Sequence, residues 1–265
     1  MPRARELLAW TEAQVATCRR VALRYFRSRS LRVERKADGS PVTMADRLIE
    51  ERLRHAIMRA FPGEAIVGEE FGGDLRPRSA YWTIDPIDGT RAFSRGLPSW
   101  GILVGRVEEG RAVLGVCDFP AVGVRLVVAR GLGAFERTGT QTKRLPRARP
   151  VKRLDDAVIF HGGSHWWQGT RFARGFARLI RVCYLERAYG DCFGYLWVLR
   201  GHADAMMDYG VHVWDLAPFA ALAEATGRAL TDCFGRPSFT SPGTIMAHPI
   251  LARLISRTLV GRTSR

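Results

Sequence analysis

Apolar residues follow a helical repeat in the first sixty positions of the chain. They recur at helical spacing over residues 4–27, until the turn-forming sequence "KADGSPVT" interrupts the pattern. Ile49, Leu53 and Ile57 then recur every four residues, which predicts a second helix over residues 43–60. The chain therefore opens with two amphipathic helices.

Shorter apolar runs follow, separated by glycine and by charged residues. Their length and their β-branched and aromatic content are typical of strands. Few helical stretches lie between them, so the pattern favours a mostly antiparallel sheet. The predicted strands are "EAIVG", "AYWTID", "WGILVGRV", "RAVLGVCDF" and "VRLVVAR".

A polar, basic and proline-containing segment over residues 136–154 interrupts the apolar pattern. It predicts a boundary between an N-terminal α+β domain, residues 1–148, and a C-terminal α/β domain, residues 149–265. In the second domain, strand-like runs such as "AVIFHG" and "ADAMMD" alternate with helical ones. The predicted fold class is α/β, with layered helices and sheets.

The composition is that of an ordinary globular protein. Hydrophobic residues make up 46 % of the 265 positions and charged residues 25 %. No run approaches the roughly 18 apolar residues of a membrane span, so no membrane partner is expected. The five cysteines form no CxxC pair, which is typical of free thiols and predicts a cytoplasmic protein.

The net charge of +15 comes almost entirely from arginine. A nucleic-acid partner would be favoured if these residues formed a stripe or a tail. They are instead dispersed, and no zinc finger or RNA-binding aromatic motif accompanies them. The charge therefore gives little support to a nucleic-acid-binding function.

The sequence "WTIDPIDGTRAF" places two carboxylates close together. Asp85 ends a predicted strand, Pro86 keeps the chain extended, and a turn brings Asp88 to the same small volume. Such close anionic groups repel each other unless a cation separates them. Hard cations such as Mg²⁺ take oxygen ligands, and the carbonyl of Ile87 is a further candidate.

Gly89 and Thr90 follow these acids at the start of a short helix-like segment. Their backbone N–H groups are candidates for binding a phosphate oxyanion. An ordinary proline-containing turn, in which the aspartates only cap backbone groups, is the alternative. Glu69 at the end of one strand and Asp215 at the start of a distant helix favour the metal site.

The motifs in their order along the chain resemble the inositol monophosphatase family of metal-dependent phosphatases. The resemblance covers nearly the whole chain. It rests on "TMAD", on Glu69-Glu70 after a strand, on "DPIDGT" and on "WDLAP". It implies the family's layered α-β-α-β-α fold, a homodimer and a small phosphorylated metabolite as substrate.

The resemblance also implies a metal-ligand set with two or three Mg²⁺ ions per active site. Glu69, Asp85 and the Ile87 carbonyl would hold one ion, and Asp85 would bridge to a second ion held with Asp88 and Asp215.

A catalytic pair is implied at Thr90 and Asp46. Together with Glu69, this pair would orient and activate the attacking water. Lys36 matches a lysine found near the phosphate. Two metal ions can neutralise the phosphoryl oxygens and the leaving group of a monoester, so no histidine base is required.

Two other classes of protein remain open at this point. Phosphatases with an aspartyl nucleophile carry a DxDGT-type motif, but Asp85 and Asp88 have two residues between them rather than one. An RNA-binding or other polyanion-binding protein with a vestigial metal site is the non-enzymatic alternative.

The segment between Glu186 and Asp215 bears on the substrate. "SRGLPSWG" and "RAYGDCFGYLW" resemble the histidinol-phosphate phosphatase branch, whereas "YGVHVWD" resembles the inositol phosphatases. Asp191 and Asp208 are the predicted substrate-binding acids at the pocket rim, because histidinol phosphate carries an ammonium group and an imidazole. Inositol 1-phosphate, nucleotide 3',5'-bisphosphates and fructose 1,6-bisphosphate remain alternatives.

Overall fold

The structure, a computed structural model, describes residues 4–73 and 80–261. The chain forms two compact units, of which the first ends at Arg144 and the second begins at Leu145. Within the described ranges, no helix combines the length and the apolar character needed to cross a bilayer. All five cysteines are free thiols, as the sequence predicted.

The first unit contains two long helices, one short helix and nine strands among its described residues. The helices are α1 (Ala4–Tyr25), α2 (Met44–Ala60) and α3 (Thr90–Ser94). The strands are β1 (Val33–Arg35), β2 (Pro41–Thr43), β3 (Ala65–Gly68), β4 (Ala80–Asp88), β5 (Gly101–Glu108), β6 (Arg111–Phe119), β7 (Val124–Ala129), β8 (Gly133–Thr138) and β9 (Gln141–Arg144).

Strands β3 to β9 form one seven-stranded sheet in sequence order. Strand β3 runs parallel to β4, and every other neighbouring pair is antiparallel, which confirms the predicted mostly antiparallel sheet. Helices α1 and α2 pack against this sheet and against each other. The apolar positions that predicted α2 are buried: Ile49, Leu53 and Ile57 are each at most 1 % exposed.

Two strand pairs were not predicted. The segment expected to link the domains begins inside the β8–β9 hairpin, and the short β1–β2 pair lies where only a helix break was expected. Every residue of β9 is exposed. An edge strand with no buried face lacks the apolar alternation by which strands are recognised in a sequence.

The second unit alternates strands and helices, as predicted. Its strands are β10 (Val158–His161), β11 (Leu185–Arg187), β12 (Ala205–Tyr209), β13 (Ala229–Asp232) and β14 (Gly243–Ala247). Its helices are α4 (Ala173–Val182), α5 (Asp191–Leu199), α6 (Val213–Thr226) and α7 (Pro249–Leu259). The strand order is β11-β10-β12-β14-β13, and β10 is parallel to both of its neighbours.

Alternating residues of β12 show how the second unit is layered. Ala205 and Met207 belong to the core that includes side chains of α4 and α7. Met206 points the other way, because a Cβ added to Gly194 of α5 would lie 2.3 Å from its sulfur. The sheet therefore has helices on both faces, and the carboxyl ends of β10 and β12 share one edge.

We expect Leu53→Ala to lower the free energy of unfolding by about 2 to 5 kcal/mol, because it leaves a cavity in the core of the first unit. Leu48→Ala on the same helix is the matched control, since Leu48 is 37 % exposed. Urea unfolding followed by tryptophan fluorescence measures both variants. Equal destabilisation by the two substitutions would contradict the assigned core face of α2.

Candidate active site

A β-bulge turns Asp85 and Asp88 toward one volume. Asp85 pairs with Leu103 of β5 and Asp88 pairs with Gly101, so three steps along β4 match two steps along β5. Residues an odd number apart on a regular strand face opposite sides, and the extra residue removes this alternation. A carboxylate oxygen of Asp85 and one of Asp88 consequently lie within 4.8 Å of each other.

Glu69 follows β3 at the same edge of the sheet. The parallel register sets Gly68 against Ile84, and the Glu69 N–H donates to the Ile84 carbonyl at 3.1 Å. Asp85 is the next residue of the neighbouring strand, so these main-chain contacts bring Glu69 beside it. A segment far from Asp85 in sequence therefore reaches the predicted metal site through strand pairing.

The ammonium group of Lys36 contacts Glu69 and Glu70, whereas the sequence predicted a position near the phosphate. Its Nζ donates to Glu69 Oε1 at 2.8 Å and lies 2.7 Å from Glu70 Oε1. Burial alone would lower the pKa of Lys36, but the bonds to the two carboxylates raise it overall. Burial raises the pKa of Glu70 to about 7, although Lys36 opposes this shift.

Glu50 is a positioning residue that the sequence analysis missed. Its buried carboxylate accepts hydrogen bonds from the Glu70 N–H at 2.7 Å and the Phe71 N–H at 3.2 Å. Arg54 Nε also donates to it at 2.7 Å. The signal was present in the sequence: Asp46 and Glu50 are four residues apart on the buried face of α2, where an unpaired carboxylate is costly.

The predicted catalytic pair is in direct contact. Thr90 Oγ1 lies 3.0 Å from Asp46 Oδ1 and 2.9 Å from the Ile87 carbonyl, two acceptors for its proton. Asp46 is fully buried at the start of α2, where its other oxygen accepts the Thr43 N–H at 2.8 Å. Burial raises the pKa of Asp46 to about 6, against the hydrogen bonds from Thr43 and Thr90.

Gly89 makes the transition from the bulged strand to α3. Its φ of +87° is in the left-handed region, which a residue with a side chain adopts at a cost. Its carbonyl accepts the Phe93 N–H at 2.9 Å and so closes the first turn. The chain therefore reverses directly behind the acids, and Thr90 becomes the first helical residue.

The acids of the second unit lie at the carboxyl edge of its sheet. Asp208 is only 6 % exposed, so it is not the open rim residue that the sequence predicted. Its Oδ1 accepts the Tyr209 N–H at 2.8 Å. A Cβ on Gly162 would lie 2.0 Å from the same oxygen, so the glycine leaves room for this carboxylate.

Asp191 and Asp215 begin the two helices of this edge. Asp191 is the first residue of α5, with a left-handed φ of +57° that is uncommon for aspartate. Asp215 accepts the His212 N–H at 2.7 Å in a capping box of α6. Burial raises the pKa of Asp208 well above its usual range, and the charges of Asp191 and Asp215 add to this shift.

The donors of the first unit have the chemistry of a hard-cation site. Three carboxylates and one main-chain carbonyl are all oxygen ligands, the type that Mg²⁺ and Ca²⁺ prefer. Asp85 is 2 % exposed, so water screens its charge from that of Asp88 only weakly. The residues therefore fit a divalent cation. Asp85 and Asp88 present their carboxylates together, and Glu69 and the carbonyl of Ile87 are the further predicted ligands.

A sequence model of the inositol monophosphatase family matches residues 4–262, nearly the full chain. The chain belongs to this family. The resemblance and the layered α and β fold that the sequence predicted are thereby confirmed. The family is metal-dependent, in agreement with the all-oxygen donor set.

Histidinol-phosphatases are among the similar proteins. The one from Mycobacterium tuberculosis is 36 % identical over 211 residues, covering 79 % of this chain and 81 % of that protein. The one from Streptomyces coelicolor is 36 % identical over 218 residues, covering 80 % and 81 %. The inositol monophosphatase structure from Zymomonas mobilis aligns with a TM-score of 0.83 and 27 % identity, covering 98 % of this chain and 99 % of that one.

The chain is therefore a phosphatase that acts on small phosphorylated substrates. Family membership excludes the class of phosphatases with an aspartyl nucleophile. The individual roles of the site residues remain predictions.

We expect Glu50→Gln to raise the Mg²⁺ concentration needed for half-maximal activity by about 10- to 100-fold. The amide cannot accept both N–H groups that shape the Glu69–Glu70 turn. The concentration of Mg²⁺ at half-maximal phosphatase activity measures this effect. Glu51→Gln is the matched control, since Glu51 is exposed on the same helix. An unchanged Mg²⁺ dependence in Glu50→Gln would show that the turn does not need this carboxylate.

Proposed function

We propose that this phosphatase hydrolyses histidinol phosphate with Mg²⁺ as its cofactor. The main support for this substrate is a pair of acids, Asp191 and Asp208, which lie at the same edge of the sheet in the second unit. The 36 % identity to two histidinol-phosphatases supports the same substrate.

Five residues would hold the metal ions, two or three per active site. When bound, Mg²⁺ would neutralise the phosphoryl oxygens and lower the pKa of water. The ligands would be Glu69, Asp85, the Ile87 carbonyl, Asp88 and, from the second unit, Asp215. All five offer oxygen atoms, which supports Mg²⁺ over softer metals.

Thr90 and Asp46 would position the attacking water. When Thr90 Oγ1 donates its proton to Asp46 Oδ1, 3.0 Å away, a lone pair of the hydroxyl is left to accept a hydrogen bond from water. As one water proton moves to Thr90 Oγ1, the hydroxyl proton of Thr90 would pass to the ionised Asp46. Glu69 would accept a hydrogen bond from the other O–H of the same water and so fix its direction of attack.

Main-chain N–H groups at Gly89 and Thr90 would receive the phosphate. Gly89 directly precedes the first residue of α3, where main-chain N–H groups have no acceptor within the helix, and Lys36 adds positive charge near Glu69. Phosphate would thus meet fixed dipoles that need no rearrangement during the reaction.

Asp191 and Asp208 would recognise the cationic part of the substrate. Ionised Asp208 is unfavourable in its buried position beside Asp191, as its raised pKa indicates. An ammonium group or a protonated imidazole at this edge would relieve that repulsion and form charge-assisted hydrogen bonds. A neutral polyol offers hydrogen bonds to Asp208 but leaves the repulsion in place.

Inositol 1-phosphate is the second candidate, because Asp208 in "YGVHVWD" also suits a polyol hydroxyl and the Zymomonas mobilis structure is an inositol monophosphatase. Nucleotide 3',5'-bisphosphates and fructose 1,6-bisphosphate rank below both, since Asp191 and Asp208 would repel a second phosphate.

The proposal further includes a homodimer located in the cytoplasm.

We expect Asp88→Asn to lower kcat by at least about 100-fold without unfolding the protein, because it weakens a proposed metal ligand at nearly constant side-chain volume. Phosphate release from histidinol phosphate, with Mg²⁺ and with a chelator, measures the loss. Asp38→Asn is the matched control, since Asp38 is exposed and caps a turn at Ser40. Near-normal turnover of Asp88→Asn would refute the metal assignment.

We expect Asp191→Asn to lower kcat/KM for histidinol phosphate about tenfold more than for inositol 1-phosphate, because only the first substrate brings a cation to this position. A panel with an added adenosine 3',5'-bisphosphate ranks the three substrates in the unmodified enzyme. Equal losses on the first two esters would exclude Asp191 as a specificity residue. A preference of the unmodified enzyme for inositol 1-phosphate would overturn the proposed substrate.

A further inference from the structure

A small basic cavity lies in the second unit at the start of the segment that follows β9. Its volume of about 80 Å³ is several times the roughly 15 Å³ that one water molecule requires, so a multi-atom ion fits. Its charged and titratable lining residues are Arg147, Arg149, Arg200, Arg228, His248 and a single acid, Asp204.

Arg228 is the buried member of this group, at 8 % exposure. Its guanidinium donates to the Pro146 carbonyl at 3.0 Å and to the Val198 carbonyl at 2.7 Å. Among the described residues, no carboxylate forms an ion pair with it. A buried cation is costly, and burial lowers the pKa of Arg228 to about 10, although the charge of Asp204 opposes this shift.

The remaining charges of the lining also favour an anion. Arg147 and Arg149 are exposed and flank the cavity from the segment that links the two units. The one acid, Asp204, already accepts the Val158 N–H at 2.8 Å. The lining therefore contains four arginines and one acid, whose carboxylate also accepts a main-chain N–H.

This cavity is separate from the proposed substrate-binding acids of the same unit. Asp204 and Ala203 come directly before β12, whereas Asp208 lies near its far end. Arg200 follows the last residue of α5, whereas Asp191 is its first. With about 3.3 Å per strand residue and 1.5 Å per helix residue, both separations exceed roughly 10 Å.

We propose that this cavity binds a small oxyanion, such as inorganic phosphate, at a second site outside the catalytic centre. Guanidinium groups match the oxygen geometry of phosphate and can bind it through paired hydrogen bonds. The arginine-rich composition accounts for exposed side chains such as Arg147 and Arg149. It does not account for a buried arginine whose hydrogen bonds go to main-chain carbonyls rather than to a carboxylate.

The test is a titration with inorganic phosphate by isothermal calorimetry, in the presence of a chelator and at low salt. Removing divalent metal suppresses phosphate binding at the proposed catalytic centre, so the result does not depend on hydrolysis. The variant Arg147→Ala/Arg149→Ala removes two exposed charges from the cavity. The matched control, Arg174→Ala/Arg178→Ala, removes two exposed charges from α4 of the same unit.

We expect saturable binding of one phosphate to the unmodified protein, a weakening of at least about tenfold in Arg147→Ala/Arg149→Ala, and a change within about twofold in the control. Arg228→Met should abolish the binding. If Arg228→Met does not fold, the two double variants decide the matter alone. Absence of saturable binding, or equal losses in both double variants, would overturn the proposal. Arg147→Ala/Arg149→Ala could instead keep its phosphate affinity and lose binding of a single-stranded oligonucleotide. That result would also overturn the proposal, because it would indicate a surface for long polyanions.

Discussion

Electrostatic repulsion between Asp85 and Asp88 is the constraint on which the active site depends. Two carboxylates within 4.8 Å repel by about 3 kcal/mol at an effective dielectric constant of about 20. The main chain nevertheless imposes the arrangement, because the bulge in β4 is held by pairing with β5 on both sides. Strand pairing thus keeps the two carboxylates close despite their repulsion. A divalent cation bound between them would remove most of that repulsion.

Residues around the paired aspartates offset buried charge through hydrogen bonds and ion pairs. Glu50 receives two main-chain N–H groups and an arginine, so it can remain buried while it shapes the turn that carries Glu69. Lys36 balances the glutamate pair from the other side. In the second unit, burial raises the pKa of Asp208, and the charges of Asp191 and Asp215 raise it further. The first unit therefore offers oxygen donors that fit a metal ion, whereas a role of the second unit's acids in binding a cationic substrate stays a prediction.

The sequence predicted those parts of the fold that leave a periodic trace. The apolar repeat of α2 and the β-branched runs of the central strands are recorded in residue type, because their side chains are buried. The hairpin of β8 and β9 escaped, since β9 buries nothing. For the site, local spacing identified Asp85 and Asp88. The contact between Thr90 and Asp46 joins positions 44 residues apart, and only the family resemblance anticipated it. Glu50 was missed although its place on the buried face of α2 was visible in the sequence, because the main-chain N–H groups that it binds leave no motif.

Gly162 has a practical meaning for attempts to change specificity. A methyl group at this position would overlap the Asp208 carboxylate, so even alanine would force that side chain to turn. In directed evolution, libraries that diversify position 162 would mostly yield proteins with a displaced acid rather than a narrower pocket. If Asp191 contacts the substrate as proposed, new selectivity is more accessible there, because glycine or asparagine adopts its left-handed backbone conformation more readily.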